Sequence, residues 1–462
     1  MTLIKSISGI RGTIGGVPQE NLTPLDAVKF SAAYGTWLKS KHPNTRIKVV
    51  VGRDARPSGP MIQSLVCQTL VGMGINVIDL GLSTTPTVEI AVPMEGAQGG
   101  IILTASHNPK EWNALKLLNH LGEFIDAEAG AQILSWVEQE AFSFSEVDDL
   151  GTITTDDTYM DKHIDAVLAL DLVDAKTIQQ AGFKVVVDGV HSSGGVFIPA
   201  LLERLGVEVI TLYGEPTGQF PHNPEPLAQH LGVIMQEVVA QKADLGIVVD
   251  PDVDRLAFIS EDGAMFGEEY TLVACADYVL SKTPGATCSN LSSTRALRDV
   301  TLKHQGHYVS AAVGEVNVVE AMKKNQVVIG GEGNGGIIYP ASHYGRDALV
   351  GTALFLMLLA EKKTSVSELR KQYPAYFMSK EKIVLDPKVD VDALLESMQQ
   401  HYPNEQKSTI DGLKIDLAHG WIHMRKSNTE PIVRIYTEAS TQQEADALAH
   451  TAMRQISELG LG

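Results

Sequence analysis

FKVVVDGVHS (183–192) repeats the pattern of IKVVVGRDAR (47–56), a short β-branched run that ends in charged or glycine residues, and ADLGIVVDPDVD (243–254) shows it again. Apolar runs of this length read as strands buried on both faces of a helix-covered sheet. The first two runs are followed by similar units, SLVCQTLVGMGINVIDLG (64–81) and IPALLERLGVEVITLYG (198–214). Each has helix spacing, a glycine stop and an alternating strand. A fainter third copy follows a helix-like stretch at Asn317 to Lys324, where NQVVIGGEGNGG (325–336) again runs from strand into a Gly-rich loop. The spacing predicts a duplicated α/β unit with a third, weaker relative.

Working outward, 462 residues at ~100–200 per domain predict three or four units. EAFSFSEVDDLGTITTDD (140–157) carries acids, Ser and Thr without periodicity and reads as the first linker. A second joint is expected near Ser260 to Gly263, just beyond the acidic segment, and a third near Val366 to Pro374. The expected domains are 1–153, 154–259, 260–368 and 369–462. The last alternates strands with two helices, DVDALLESMQQHY (389–402) and STQQEADALAHTAMRQISEL (440–459).

Composition excludes several partners. The net charge of −19 repels polyphosphate backbones and anionic bilayers, so nucleic acid and membrane are not expected. MTLIKSISGI lacks the apolar core of a secretory signal, and the longest apolar stretch, Ala348 to Ala360, falls short of the ~20 residues of a membrane span. Cys67, Cys275 and Cys288 are too few and too scattered for a disulfide framework. A cytoplasmic location is expected.

GGIILTASHNPKEWNALK (99–116) runs a strand directly into Thr104, Ala105, Ser106 and His107, delivering the Ser106 hydroxyl where α/β proteins place chemistry. A purely conformational Ser/Asn/Pro turn reads equally well from these residues alone. A hydroxyl that carries a phosphoryl group needs a neighbouring cation and a group that handles protons. DPDVDR (250–255) offers Asp250, Asp252 and Asp254 at alternate positions of a loop, an oxygen-only set suited to Mg²⁺. An EF-hand reading fails because Arg255 replaces the loop glycine and Leu256 to Ile259 reads as a strand, although Glu261 falls at the twelfth position.

GGEGNGG (330–336) projects Glu332 and Asn334 from a Gly-rich turn and does not match nucleotide fingerprints. RKSNTEPIVR (425–434) groups Arg425, Lys426, Ser427, Asn428, Thr429 and Arg434, a cationic, hydroxyl-rich loop suited to phosphate. Arg11 in SGIRG and Lys116 in NALKLL read equally as surface cations or as site residues, and His107 as a group that positions Ser106 or stabilises phosphate. His191, His222, His343 and His423 lack metal-ligand spacing.

Four motifs in this order resemble those of the α-D-phosphohexomutase family over essentially the whole chain. TASHNP is similar to its phosphoserine loop, DPDVDR to its metal loop, GEGNGG to its sugar loop and RKSNTEP to its phosphate loop. The resemblance implies an α/β fold of three related mixed-sheet α/β domains and a smaller α+β C-terminal domain around a central cleft. It implies phosphorylation of Ser106, one Mg²⁺ held by Asp250, Asp252, Asp254 and the phosphoserine, and Glu332 on sugar hydroxyls. Arg11, Lys116 and Arg255 match cations near the reacting phosphate, with Lys116 a proton-transfer candidate. Arg425, Ser427, Asn428 and Thr429 match the grip on the other phosphate.

The implied reaction interconverts sugar 6- and 1-phosphates through a 1,6-bisphosphate, which also serves as activator, in a monomer or homodimer. Asn334 and Gly336 stand where other members carry Ser and His, so the sugar-loop histidine is missing unless His107 or His343 replaces it in space. GEGNGG with ISGIRG is most similar to the phosphoglucosamine mutase-like branch. Broad glucose and mannose specificity is the alternative, and a Mg²⁺-dependent sugar phosphatase or a non-catalytic sugar-phosphate sensor are readings from other classes.

Overall fold

The computed structural model describes residues 2–6, 9–386, 389–426 and 432–460, and they build four sheets. In the first, Lys48–Arg53 pairs in parallel with Asn76–Leu82 on one side and Gly99–Leu103 on the other, and Trp112–Leu118 adds antiparallel to Gly99–Leu103. The second repeats this with Lys184–Asp188, Glu208–Leu212, Leu245–Val249 and the antiparallel Leu256–Ser260. The third does so with Thr287–Asn290, Tyr308–Ala311, Ile329–Glu332 and the antiparallel Gly336–Ile338. The duplicated unit and its fainter copy are thus one four-strand topology used three times. The weakness of the third signal has a cause: its strands are only three or four residues long.

The first sheet is wider. Gly9–Thr13 and Ile4–Ser6 extend it beyond Trp112–Leu118, and Ile153–Thr155 pairs in parallel with Asn76–Leu82 at the other edge. That last strand corrects the reading of 140–157 as linker throughout. All three of its residues are exposed, so it has no buried face to impose an alternating pattern.

The fourth sheet is antiparallel, in the order Phe377–Val384, Ile432–Ala439, Gly420–Lys426, Leu413–Leu417, Gln406–Ser408. Helices Val391–Met398 and Gln442–Gly460 match the two amphipathic segments read from sequence. Leu394, Leu395 and Met398 from the first helix and Ala452 and Ile456 from the second pack with Ile415, Ile422 and Ile435 of the strands.

The longest apolar stretch becomes the helix Ala348–Lys362, capped by Asp347, whose carboxylate accepts from the backbone N–H groups of Leu349 and Val350. Every residue from Ala348 to Leu359 is buried, and all but Gly351 and Thr352 belong to one apolar cluster that also takes in Val185, Val187, Ile247 and Ile329 and so joins the second and third sheets. Among the described residues no helix is long and apolar enough to cross a membrane. Asp347 also ties three units together. Its Oδ2 meets His163 Nε2 at 2.9 Å and His343 Nε2 at 3.1 Å, while His163 Nδ1 lies 2.8 Å from the Thr87 hydroxyl.

Candidate active site

The hairpin between the third and fourth strand of each repeat carries one of the motifs. TASHNP follows Gly99–Leu103, DPDVDR follows Leu245–Val249, and the glycine turn 333–335 follows Ile329–Glu332. Backbone bonds hold the central loop to its neighbours. Thr85 N–H donates to Asp252 C=O at 2.9 Å, Leu256 N–H to Gly335 C=O at 3.1 Å, and Ala348 N–H to Val253 C=O at 3.2 Å. Gly335 has φ 87°, and a Cβ there would lie 2.2 Å from the Leu256 carbonyl oxygen, so this approach requires glycine.

Ser106 sits at φ 48°, an uncommon conformation for a residue with a Cβ, and such positions cluster at functional loops. What holds it there is Arg56, entirely buried and paired with Asp54 at 2.9 Å. Its guanidinium donates to the carbonyls of Ser106 (2.5 Å), Asn108 (2.7 Å), Pro109 (2.5 Å) and Trp112 (3.0 Å). Asp54 accepts from Thr104 Oγ1 at 2.7 Å, and Thr104 Oγ1 accepts from Ser106 N–H at 3.0 Å. Arg56→Met, which keeps the stem and removes every side-chain donor, takes the buried cation from Asp54 and a hydrogen bond from each of four carbonyls. It should cost about 3–5 kcal/mol and lower the urea midpoint together with activity; an unchanged midpoint would contradict this account of the loop.

Ser106 Oγ donates to Asp250 Oδ2 at 2.7 Å and lies 3.3 Å from His107 Nδ1. Asp250, Asp252 and Asp254 are buried, with one ligand oxygen from each within 4.8 Å of the others. The loop curls because Asp254 N–H and Arg255 N–H both donate to Asp250 Oδ1, at 3.2 and 3.1 Å, and because Val253 accepts φ 64°, a strained value for a β-branched residue. Lys116 Nζ reaches Asp252 Oδ2 at 2.7 Å and Asp254 Oδ2 at 3.3 Å. Thr85 Oγ1 also donates to Asp252 Oδ2, at 2.5 Å. The other oxygens, Asp252 Oδ1 and Asp254 Oδ1, are buried without a hydrogen-bond partner among the described residues. Three clustered carboxylates with two orphaned oxygens, all hard donors, fit a divalent cation. Glu261, the twelfth position of the rejected EF-hand pattern, instead accepts from Ser367 N–H and Oγ.

The charges shift one another. Burial raises the Asp250 carboxyl, and Asp254 and Asp252 push it further up. Burial alone would lower the Lys116 ammonium, but Asp252 and Asp254 override it and hold it above its ordinary value. Burial, then Arg255 and Arg11, drive His107 down to about 2, which keeps its ring neutral. Arg11 is lowered by burial and by the positive charges of Arg255 and Arg434. Among the described residues Arg11 Nε and Arg255 Nε are both buried without a hydrogen-bond partner, although Arg255 Nη1 reaches Glu225 at 3.3 Å. Crowded guanidinium groups with unused donors suit an anion.

Ser106, His107, Lys116, Arg11, Arg255, Glu332 and Asn334 all line one cleft of about 730 Å³. The structure adds Arg346 and Glu315, which the sequence reading missed. Arg346 Nη2 pairs with Asp254 at 2.6 Å, Nε with Glu315 at 3.0 Å and Nη1 with Glu332 at 3.0 Å. Glu332 also accepts from Asn290 Nδ2 at 2.8 Å and Gly314 N–H at 3.2 Å, while Asn334 Oδ1 accepts from Gly336 N–H at 3.2 Å. His343 is turned away to Asp347, so of the two candidate replacements for the sugar-loop histidine only His107 reaches the cleft. Arg425 pairs with Asp411 at 2.7 Å and lies outside the cleft lining, and Arg434 faces it across the strand pair. Ser427, Asn428 and Thr429 lie outside the described residues.

Four models describing the phosphoglucomutase/phosphomannomutase family match in order: alpha/beta/alpha domain I over 4–144, domain II over 161–263, domain III over 267–376 and the C-terminal domain over 380–455. The chain belongs to this family. It is a phosphohexomutase, an enzyme that isomerises sugar phosphates by phosphoryl transfer. It is similar to a phosphoglucomutase/phosphomannomutase of Thermococcus kodakarensis, 34% identical, covering 97% of each chain. A probable phosphoglucosamine mutase of Methanopyrus kandleri is 32% identical over 96% of this chain and 95% of that protein. The fold matches a phosphoglucomutase/phosphomannomutase family protein of Burkholderia thailandensis with TM-score 0.85 at 23% identity, covering 99% of this chain and 98% of that one. In this phosphohexomutase the acidic triad is able to bind a metal ion.

Proposed function

We propose that this phosphohexomutase converts glucosamine 6-phosphate to glucosamine 1-phosphate, with Ser106 as the phosphoryl carrier. The observation that carries the reading is the Ser106 hydroxyl, 2.7 Å from Asp250 at the edge of the carboxylate triad and open to the cleft. Asp250, Asp252 and Asp254, with a phosphate oxygen on Ser106, would hold Mg²⁺. When bound, the ion supplies positive charge against the transferring phosphoryl oxygens.

The chain's own residues do the rest. Phosphoserine 106 gives its phosphoryl to the free hydroxyl of a sugar monophosphate, and the resulting bisphosphate turns over and returns its other phosphoryl to Ser106. Lys116, held as an ammonium by two aspartates, serves this step as a positive clamp beside Ser106 more naturally than as a base. As the Oγ–P bond breaks, the Ser106 oxygen takes up the proton that the sugar hydroxyl gives up; the hydroxyl so formed donates to Asp250, with His107 3.3 Å away to orient it. Arg11 and Arg255 anchor phosphate, and Arg425, Ser427, Asn428, Thr429 and Arg434 grip the phosphate that is not reacting. Glu332 and Asn334 hold sugar hydroxyls. Sequestration in the cleft keeps water from the phosphoserine.

A second reading, broad action on glucose and mannose phosphates, is favoured by the name and 34% identity of the Thermococcus relative. Rates on glucosamine 6-phosphate, glucose 1-phosphate and mannose 1-phosphate, with Mg²⁺ and trace hexose 1,6-bisphosphate, separate the two. Preference for the amino sugar by more than about tenfold, ~1.4 kcal/mol, is expected. Equal or better rates on the neutral sugars would assign the broad activity, and phosphate release without isomerisation would overturn both.

A further inference from the structure

The cleft lining carries both signs of charge. Arg11 and Arg255 belong to it, with Arg434 near enough to lower Arg11 further. Only one of these groups has a carboxylate within 3.5 Å, Arg255 Nη1 to Glu225 at 3.3 Å, among the described residues. The same lining carries Glu315 and Glu332. Their shared cation is Arg346, whose Nε, Nη1 and Nη2 go to Glu315, Glu332 and Asp254 respectively. Two positive charges, Arg346 and Lys116, therefore answer four carboxylates, Asp252, Asp254, Glu315 and Glu332. Lys116 is taken by Asp252 and Asp254, and Lys5, the remaining lysine on the cleft lining, is exposed.

Glu315 is placed by its backbone. Gly314, at φ 113°, turns the chain into the helix Glu315–Lys324, so the carboxylate stands on the cleft wall at the helix start. Arg346 N–H donates to Glu315 Oε1 at 3.2 Å and Arg346 Nε to Oε2 at 3.0 Å. A carboxylate offers about four lone-pair sites, and these two bonds leave the others for a ligand.

We infer that Glu315, together with Glu332, receives the ammonium group of an amino sugar phosphate and sets the preference for cationic over neutral hexose phosphates. The inference rests on the mutase reading above and deepens it to a specificity-determining residue. An amino sugar phosphate is a zwitterion, and its two charges match a cleft lined both by the guanidinium groups of Arg11 and Arg255 and by surplus carboxylate at Glu315 and Glu332. A neutral hexose satisfies the guanidinium groups equally but leaves the surplus charge at Glu315 and Glu332 in a half-dry wall, where it is costly. Burial pushes the Glu315 carboxyl up, and despite Arg346 the charges of Asp254 and Glu332 help hold it at about 7, so a positive substituent beside it is stabilising.

The test is the ratio of kcat/KM for glucosamine 6-phosphate to that for glucose 6-phosphate, in the unaltered enzyme and in Glu315→Gln. The change is isosteric and removes the charge; it retains one of the two acceptors for Arg346, and the loss of the other is read out by the neutral sugar, which shares it. The ratio should fall by at least about tenfold, or ~1.4 kcal/mol, chiefly through KM for the amino sugar. Equal losses on both sugars would make Glu315 a structural partner of Arg346 and overturn the inference. An unaltered enzyme that isomerises glucose phosphates but not the amino sugar would overturn it as well, with the mutase reading intact. Isomerisation of neither sugar would instead remove the reading on which it rests, and the inference with it. Calorimetric binding to the unaltered protein decides the matter even if Glu315→Gln does not fold. Glucosamine 6-phosphate should bind at least about tenfold tighter than glucose 6-phosphate and N-acetylglucosamine 6-phosphate, both uncharged at that substituent; equal affinities would overturn the inference.

Discussion

Ser106→Ala will eliminate isomerisation, by at least about 10⁴-fold or ~5.4 kcal/mol. The size follows from the role: one phosphoryl group cannot pass directly between distant hydroxyls of a sugar, so removing the carrier oxygen leaves no slower version of the same route. The protein should remain folded. Arg56 grips the loop through backbone carbonyls, the Ser106 carbonyl among them, and the substitution takes away the hydroxyl that meets Asp250 and His107 while leaving that grip in place. Circular dichroism and the urea midpoint check that point independently. Appreciable isomerisation by a folded Ser106→Ala protein would mean that another group carries the phosphoryl.

Removing divalent cations with a chelator should lower the rate by about 10²–10³-fold, with recovery on adding Mg²⁺. Three buried carboxylates within 4.8 Å of one another repel, and Lys116 and Arg346 answer only part of their charge. A cation that relieves this repulsion must also stabilise the fold, by about 2.7 kcal/mol at a hundredfold excess over its dissociation constant. Mg²⁺ should therefore raise the melting temperature of the unaltered protein and not that of Asp252→Asn. The melting readout does not depend on turnover. Rates and melting temperature both indifferent to chelation would refute metal binding by the triad.

The repeat was legible because buried parallel strands leave an unmistakable trace in sequence: VVV at 49–51 and at 185–187 stand at matching places in two sheets. The third copy was faint because its strands are short and Gly330 and Gly331 replace side chains in the middle of one of them. Motifs at the strand ends could be read because each packs several functional residues into one loop. Arg56, Arg346 and Glu315 could not, because each acts across 14 or more residues of sequence: Arg56 on the loop at 106–112, Arg346 on Asp254, Glu315 and Glu332. A partial signal was present in GRDAR and YGRDA, where an Arg–Asp pair interrupts otherwise apolar surroundings. A charged pair in such a setting stays only if it is paired in the fold. Ile153–Thr155 was missed for the opposite reason, an edge strand exposed on both faces.

The most direct test of the central claim is to watch the phosphoryl group on Ser106 itself. The protein is incubated with hexose 1,6-bisphosphate and Mg²⁺, the modified peptide is mapped by mass spectrometry, and a hexose monophosphate is then added. The account predicts one phosphate on the peptide that contains Ser106, discharged by the monophosphate with formation of bisphosphate at a rate no slower than turnover. Isomerisation that proceeds while Ser106 stays unphosphorylated, or a phosphate there that the sugar never removes, would contradict it.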